Sequence, residues 1–331
     1  MNSPKVDELD YINFLVAAQK VFSAVEASRV HPGDSTEVAH DAYTRLLQRV
    51  PPDSGALWEE VKPLVKTEGG LLVVDDSTLD KPYARKMGLV TSHWSGKHGR
   101  VVEGINLISL VWTDRAATLP CDFRLYEKTA DGLSKNDHFR AMIRTARARG
   151  FAPEIVGFDS WYGSLENLKL VRDCEWHWLT QLKSNRLVDP DGTGNRPISE
   201  LFIPPLGRLV HLKGYGWIKV FKTVGIHGDV EFWATSRLSM TLEQCAFYAQ
   251  DVWQVEVYHR GLKQFTGIER GQFRLALAQR NHIGLAIRAF VRLEAHRFHT
   301  GVSWFEAKTG IIRAAIRAYL ASPVFTLYST A

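Results

Sequence analysis

Four acidic residues in three stretches carry the clearest chemical signal in the chain. The apolar run "GGLLVVDDST" ends on Asp75 and Asp76, "EIVGFDS" ends on Asp159, and the helix-like "WQVEVYHRGLK" contains Glu256. A carboxylate at the end of a buried strand needs compensation, because burying an unpaired charge costs several kcal/mol and ionised neighbours repel. A helix N-terminus, a basic partner or a divalent cation would each provide it. Carboxylates from two strand ends and one helix make a hard oxygen donor set of the kind that holds Mg²⁺ or Mn²⁺. Two such ions about 4 Å apart serve in-line displacement at a phosphodiester. Each acid alone has a plainer explanation: a strand-end turn for Asp75 and Asp76, an N-cap for Asp159, an i,i+4 ion pair with Arg260 for Glu256. It is their joint placement that favours chemistry.

That placement depends on the elements. Three helical patterns run from Leu9 to about Val65, broken at "HPGD" and "PPDS". Strands are predicted at 71–76, 103–113 and 118–126, the last alternating through Leu119, Cys121, Phe123 and Leu125. Pro120 suits an edge strand. A helix from Ser134 to Arg149 opens on a Ser134/Asp137 capping box and stops at Gly150. A fourth strand at 154–160, the helix "SLENLKLVRD" and a fifth strand at 176–183 follow. A right-handed crossover from the edge strand lays the fourth strand parallel to the first, giving the order 3-2-1-4-5. Asp76 and Asp159 then lie at the carboxyl ends of neighbouring parallel strands, where open α/β sheets bind ligands.

From Asn185 to about Ser236 the pattern turns to short β-like pieces between "PDGTGN", "IPPLG", "KGYG" and "IHGD". A long helix is predicted from Thr241 through "TLEQCAFYAQDVWQVEVYHRGLKQF", with further amphipathic helix over 275–322. The implied organisation is an N-terminal helical module (1–68), an α/β core carrying two acids (69–184), a β-rich insertion (185–238) and a helical completion carrying Glu256 (239–331).

Composition narrows the partners. With 331 residues and 45% hydrophobic content the chain has ample core for one large or two modest domains, which excludes a disordered class. The 41 Lys+Arg against 36 Asp+Glu give a net charge of +5, which suits an anionic partner such as nucleic acid. Cys121, Cys174 and Cys245 are odd in number and far apart, which argues against a disulfide framework or zinc cluster and points to the reducing cytoplasm. No apolar stretch is long enough for a membrane span and "MNSPKVDELD" lacks the order of a signal peptide, so neither membrane insertion nor export is expected.

The element order, with "VVDDST", "GFDSWY", a β-rich insertion and then "WQVEVYHRGLK", resembles the DDE transposases of bacterial insertion sequences, which have a ribonuclease H-like core. Glu256 followed by Lys263 resembles the branch bearing a Y-x2-R-x3-E-x6-K pattern, although the expected tyrosine and arginine positions hold Ala249 and Val252. The resemblance spans roughly residues 70–300. It implies Asp76, Asp159 and Glu256 as catalytic, metal-binding acids for two Mg²⁺ or Mn²⁺ ions. Asp76 is chosen because it precedes Ser77 and Thr78 as in the family motif; neighbours on a strand face opposite ways, so only one of the tandem pair should join, with Asp75 the fallback. The implied partners are double-stranded DNA, as terminal inverted repeats and target, and a second copy of the chain in a homodimeric synaptic complex. A nuclease or resolvase on the same core and a DNA-binding remnant are the alternatives.

Basic and aromatic residues near these acids are candidate DNA contacts: Arg260 and Lys263 on the helix of Glu256, Lys81 and Arg85 in "KPYARK", Lys97 in "HWSGKHGR", and Trp161 beyond Asp159. Solvated charge is the ordinary reading of such lysines and core packing of such tryptophans. Trp217 in "KGYGWIKV" is a weaker stacking candidate. His93 and His98 are discounted as a metal pair for want of a partner ligand elsewhere.

Overall fold

The apolar run before the tandem aspartates forms the central strand of a large mixed sheet in the computed structural model, which describes residues 4–33, 38–51, 54–95, 99–127, 132–225 and 228–325. Strand β1 (Leu71–Asp80) pairs antiparallel with β3 (Arg100–Thr113) along its whole length, from Leu71↔Thr113 to Asp80↔Gly104. It pairs parallel with β5 (Ile155–Phe158) only over Leu71 to Val74. Strands β2 (Thr91–Ser95) and β4 (Thr118–Tyr126) both pair with β3, and β6 (Trp178–Leu182) runs parallel to β5. The core order β4-β3-β1-β5-β6 is the predicted 3-2-1-4-5. Leu71 to Val74 are buried, as an apolar run without alternation requires when both sheet faces are covered.

Two boundaries differ from the sequence reading. β1 runs four residues past Asp76, because Ser77 to Asp80 continue the antiparallel ladder with β3. "SHWSGKHGR" is not simply a loop: it supplies β2, paired from Thr91↔Gly104 to Ser95↔Arg100. Polar residues hid both extensions, since a two-stranded ribbon needs backbone partners more than apolar side chains.

The β-rich segment after β6 contains a small ribbon, β7 (Leu187–Val188) with β8 (Arg196–Pro197), and a meander of β9 (Arg208–Leu212), β10 (Gly216–Val224) and β11 (Val230–Thr235). β11 pairs antiparallel with β6, so the meander prolongs the main sheet, which has nine strands among the described residues.

The helices of this part are α4 (Gly55–Val61), α5 (Lys135–Ala148), α6 (Leu165–Asp173) and α7 (Leu242–Val252). α5 opens on the predicted Ser134/Asp137 capping box, and α7 on a second one, Thr241/Gln244. The long helix expected from Thr241 is interrupted: α7 ends at Val252, Trp253 is its C-cap, and α8 (Gln254–Phe265) begins afresh. α7 packs directly on β5, where a Cβ built on Gly157 would lie 2.3 Å from Val252 Cγ2.

The chain divides into two compact units, Ser54–His259 and Met1–Asp53 with Arg260–Ala331. The first holds the sheet and α4 to α7. The second is helical, with α1 (Glu8–Ala17), α2 (Ala24–Arg29), α3 (His40–Arg49), α9 (Ala276–Thr300) and α10 (Trp304–Ala321). Several of its buried polar groups are paired: Tyr11 with His282 at 2.9 Å, and Asn281 donating to the Leu47 and Val50 carbonyls that end α3. Lys308, the one buried side chain of α10, donates to the carbonyls of Leu15 and Phe265.

Candidate active site

The parallel rung Val74↔Phe158 is the last that β1 shares with β5. One residue beyond it the two strands carry Asp75 and Asp159, so both acids sit where the parallel pairing stops and the sheet opens. Asp159 is exposed and its carboxylate does not cap the 3₁₀ turn Ser160–Tyr162 that follows, which removes the plainer explanation for it.

Tandem position on a strand sends Asp75 and Asp76 to opposite faces, and the two meet opposite electrostatic surroundings. Asp76 is fully engaged. Lys135 Nζ and Asn106 Nδ2 each donate to its Oδ2 at 2.8 Å, and Tyr162 Oη donates to Oδ1 at 3.0 Å. Asn106 reaches it because it lies on β3 two residues from Ile108, the direct partner of Asp76. Burial opposes the charge of Asp76, but the Lys135 ammonium and the three hydrogen bonds prevail and hold the carboxyl below its usual range. Tyr162 is itself locked, its ring stacked on Phe139 at 5.4 Å and its carbonyl accepting from Asn167. Burial and the neighbouring Asp76 charge push its phenol well above the usual value.

Asp75 faces the other way, toward Glu256 and His259. Burial raises its pKa well above the carboxylate range, and Asp76, Glu256 and Asp159 add repulsion. One ligand atom from each of Asp75, Glu256 and His259 lies within 4.8 Å of the other two. The structure therefore brings Asp75, rather than the expected Asp76, to Glu256, because the face carrying Asp76 is occupied by Lys135, Asn106 and Tyr162.

Glu256 and His259 come from the first turns of α8. The helix preceding it, α7, is pinned by Arg115 and Glu154. Arg115, in the β3–β4 turn with a left-handed φ of 74°, binds Asp251 through Nε and Nη2 at 2.7–3.0 Å and lies 3.1 Å over the Phe247 ring. Tyr248 Oη donates to Glu154 at 2.8 Å. Of the apolar residues around Glu256, Val255 is buried and Val257 half-buried, while Trp253 at the break is exposed.

The remaining sequence candidates fare unequally. Trp161 is 58% exposed beside Asp159, with Lys135 Nζ at 5.9 Å and Lys183 Nζ at 5.8 Å from its ring centre. Arg85 is exposed, whereas Lys81 is only 3% exposed and does not present an open surface charge. Arg260 is exposed and Lys263 pairs with Glu269 at 3.4 Å, both in the helical unit. His93 contacts Thr78 Oγ1 at 2.7 Å, an ordinary cross-strand role. Lys97 and His98 lie outside the described residues. Sequence reasoning missed Lys135, Asn106 and Tyr162, which carry no spacing signal; His259 was detectable as the residue one turn after Glu256 on the same helix face.

A family model described as DDE superfamily endonuclease matches residues 12–200, more than half of the chain. The chain belongs to the DDE superfamily endonucleases. Membership implies dependence on a divalent cation, and the donors present fit one: ligand atoms bound to one ion at about 2.1 Å stand about 3 Å apart when adjacent and about 4.2 Å when opposed. A spread within 4.8 Å is close to that span. Among solved structures this endonuclease is similar to a piggyBac transposase in a cryo-EM synaptic complex with hairpin DNA, with 11% identity, a TM-score of 0.55, and 96% of this chain and 73% of that chain covered. The likeness, with the mixed sheet order, makes the fold ribonuclease H-like. The Drosophila P element transposase strand transfer complex aligns at 8% identity with a TM-score of 0.30, covering 98% of this chain and 88% of that one. No curated protein matches the sequence significantly.

Proposed function

We propose that this DDE superfamily endonuclease is a DNA transposase that cleaves at the terminal inverted repeats of an insertion sequence and joins the freed 3′ ends to target DNA. The observation that carries the reading is the convergence of Asp75 with Glu256, beside Asp159 on the neighbouring parallel strand, at one end of a ribonuclease H-like sheet.

In this reading Asp75, Glu256 and Asp159 hold Mg²⁺ or Mn²⁺, two ions in the working enzyme. Bound there, a divalent cation supplies Lewis acidity, activating a water or 3′-hydroxyl and drawing charge from the leaving oxygen. The chain's own residues do the rest. Lys135, Asn106 and Tyr162 keep Asp76 charged and turned away, which fixes the strand end and leaves Asp75 as the presented acid. The compressed negative charge around Asp75 makes the apo site electrostatically unfavourable, so a cation binds where repulsion is greatest. Trp161, with Lys183 Nζ 5.8 Å from its ring centre, offers a face for an unstacked base and a charge for a phosphate, while the Lys135 ammonium near it is held by Asp76. Arg85, Arg260 and Lys263 are further DNA-backbone contacts in this proposal. Synapsis of two ends requires a homodimer, and the site of action is the cytoplasm; among the described residues no helix is long and apolar enough to cross a membrane.

The test is incubation with duplexes bearing the inverted repeats that flank the coding sequence, in Mn²⁺, with a second labelled duplex as target. Cleavage followed by joined product is expected from wild type, and neither from Glu256→Gln or Asp75→Asn. Cleavage without joining would replace the proposal with a nuclease, and metal-independent DNA binding without cleavage would leave a binding protein.

A further inference from the structure

The helix of Glu256 brings a nitrogen donor to the same place. Glu256 and His259 are three residues apart on α8, so their side chains leave one face of the helix about one turn apart. His259 is 3% exposed, and its Nδ1 stands 3.8 Å from Asp75 Oδ2. That separation is too long for a hydrogen bond, which ends near about 3.2 Å for nitrogen and oxygen. It lies instead between the spacings that adjacent and opposed ligands of one ion adopt, about 3 and 4.2 Å.

Burying an imidazole against two carboxylates has a further consequence. A positive imidazolium would satisfy their charge, but a neutral ring facing the same point is a metal ligand. Glu256 opens the helix and is exposed, so it can shift its carboxylate toward an ion; the buried ring of His259 has far less freedom.

We propose that His259 is a direct ligand of the cation centre, joining Asp75 and Glu256 in a mixed nitrogen and oxygen set that selects Mn²⁺ over Mg²⁺. The inference rests on the metal-dependent reading above and deepens it. Mg²⁺ prefers all-oxygen surroundings and surrenders water reluctantly, whereas Mn²⁺, a first-row transition ion at the weak end of the Irving–Williams order, tolerates one imidazole nitrogen beside carboxylates better than Mg²⁺ does. A chain built with three carboxylates at this point would have no such bias.

The experiment uses the full-length chain freed of metal with EDTA and titrated with Mn²⁺ alone. Pulsed electron paramagnetic resonance of the bound ion reports any directly coordinated nitrogen through its ¹⁴N modulation. The modulation is expected in wild type, is expected to vanish in His259→Gln, and is expected to change to the ¹⁵N pattern when the chain is grown with ¹⁵N-histidine, a measurement that needs no variant to fold. Calorimetric titration should show Mn²⁺ binding weakened about tenfold or more in His259→Gln, with Mg²⁺ binding changed less than about threefold. Mn²⁺ binding that depends on Asp75 and Glu256 but shows no nitrogen coupling would overturn the role of His259 and leave the carboxylate centre standing. Loss of neither Mn²⁺ binding nor its spectrum in Asp75→Asn and Glu256→Gln would overturn the metal centre itself.

Discussion

Replacing Gly157 by alanine tests whether the packing of α7 on β5 sets the position of Glu256. The added Cβ would stand 2.3 Å from Val252 Cγ2, while the Cβ of Val252 is 3.4 Å away. Restoring an ordinary carbon contact of about 3.5 Å requires the helix or strand to yield by about 1 Å. Overpacking of this kind costs about 1–3 kcal/mol. For a unit the size of Ser54–His259, about 2 kcal/mol lowers Tm by about 4–8 °C. A shift of about 1 Å at a catalytic carboxylate can also cost about 100-fold in rate. Val252→Ala removes the clashing methyl, Cγ2, along with Cγ1; alone it should cost about 1 kcal/mol through lost burial, but in the Gly157→Ala background it should restore stability and nicking. Calorimetric unfolding of the four members of this cycle, with nicking assayed in Mn²⁺, measures the coupling directly. If the double variant falls by the sum of the singles within about 0.5 kcal/mol, the contact does not position the helix and the reasoning fails.

Four further outcomes follow from the structure. In EDTA, Asp75→Asn should raise thermal stability near neutral pH and Asp76→Asn should lower it, each by about 1–2 kcal/mol, because one change relieves repulsion and the other strands the Lys135 ammonium. The raised pKa of Asp75 means the native state holds a proton that the unfolded state has released above about pH 3.9, so stability without metal falls as pH rises through the raised value, and Asn at 75 should flatten that slope. Trp161→Ala should leave Tm unchanged, since the ring is largely exposed, while weakening binding of branched or single-stranded DNA by about 1–3 kcal/mol in fluorescence anisotropy. Burial pushes Lys308 down to about 8, so between there and about 10.4 the unfolded chain binds more protons and stability rises with pH; urea midpoints at two pH values should show this rise, and Lys308→Met should abolish it.

The strands were legible where side-chain alternation or an apolar run carries the signal. Leu71 to Val74 and Leu119 to Leu125 are examples, and the crossover rule then gave the sheet order. The choice between Asp75 and Asp76 was not legible, because strand periodicity says that they face apart but not which face is taken. That is decided by Lys135, Asn106 and Tyr162, which come from three other elements. The break at Trp253 was hidden for a different reason: the capping box at Thr241 and the amphipathic pattern beyond it both read as helix, and nothing between them is a Gly or Pro. Counting back from Glu256 to Ala249 and Val252 therefore crosses a discontinuity. Val252 is accounted for locally by its contact with Gly157, and Tyr248 by its bond to Glu154.

The tandem acids also give the central strand a margin against copying errors. A residue deleted upstream would slide β1 by one place along its ladder, bringing Asp76 into the place of Asp75 and reversing every side chain. Leu71 to Val74 are apolar on both sides, so the interior would receive similar groups after the slide. At the mouth of the sheet an aspartate would still stand opposite the glutamate of α8, and only the lysine-bound partner would be exchanged. Doubling the acid makes the reading frame of the strand, at this one point, forgiving.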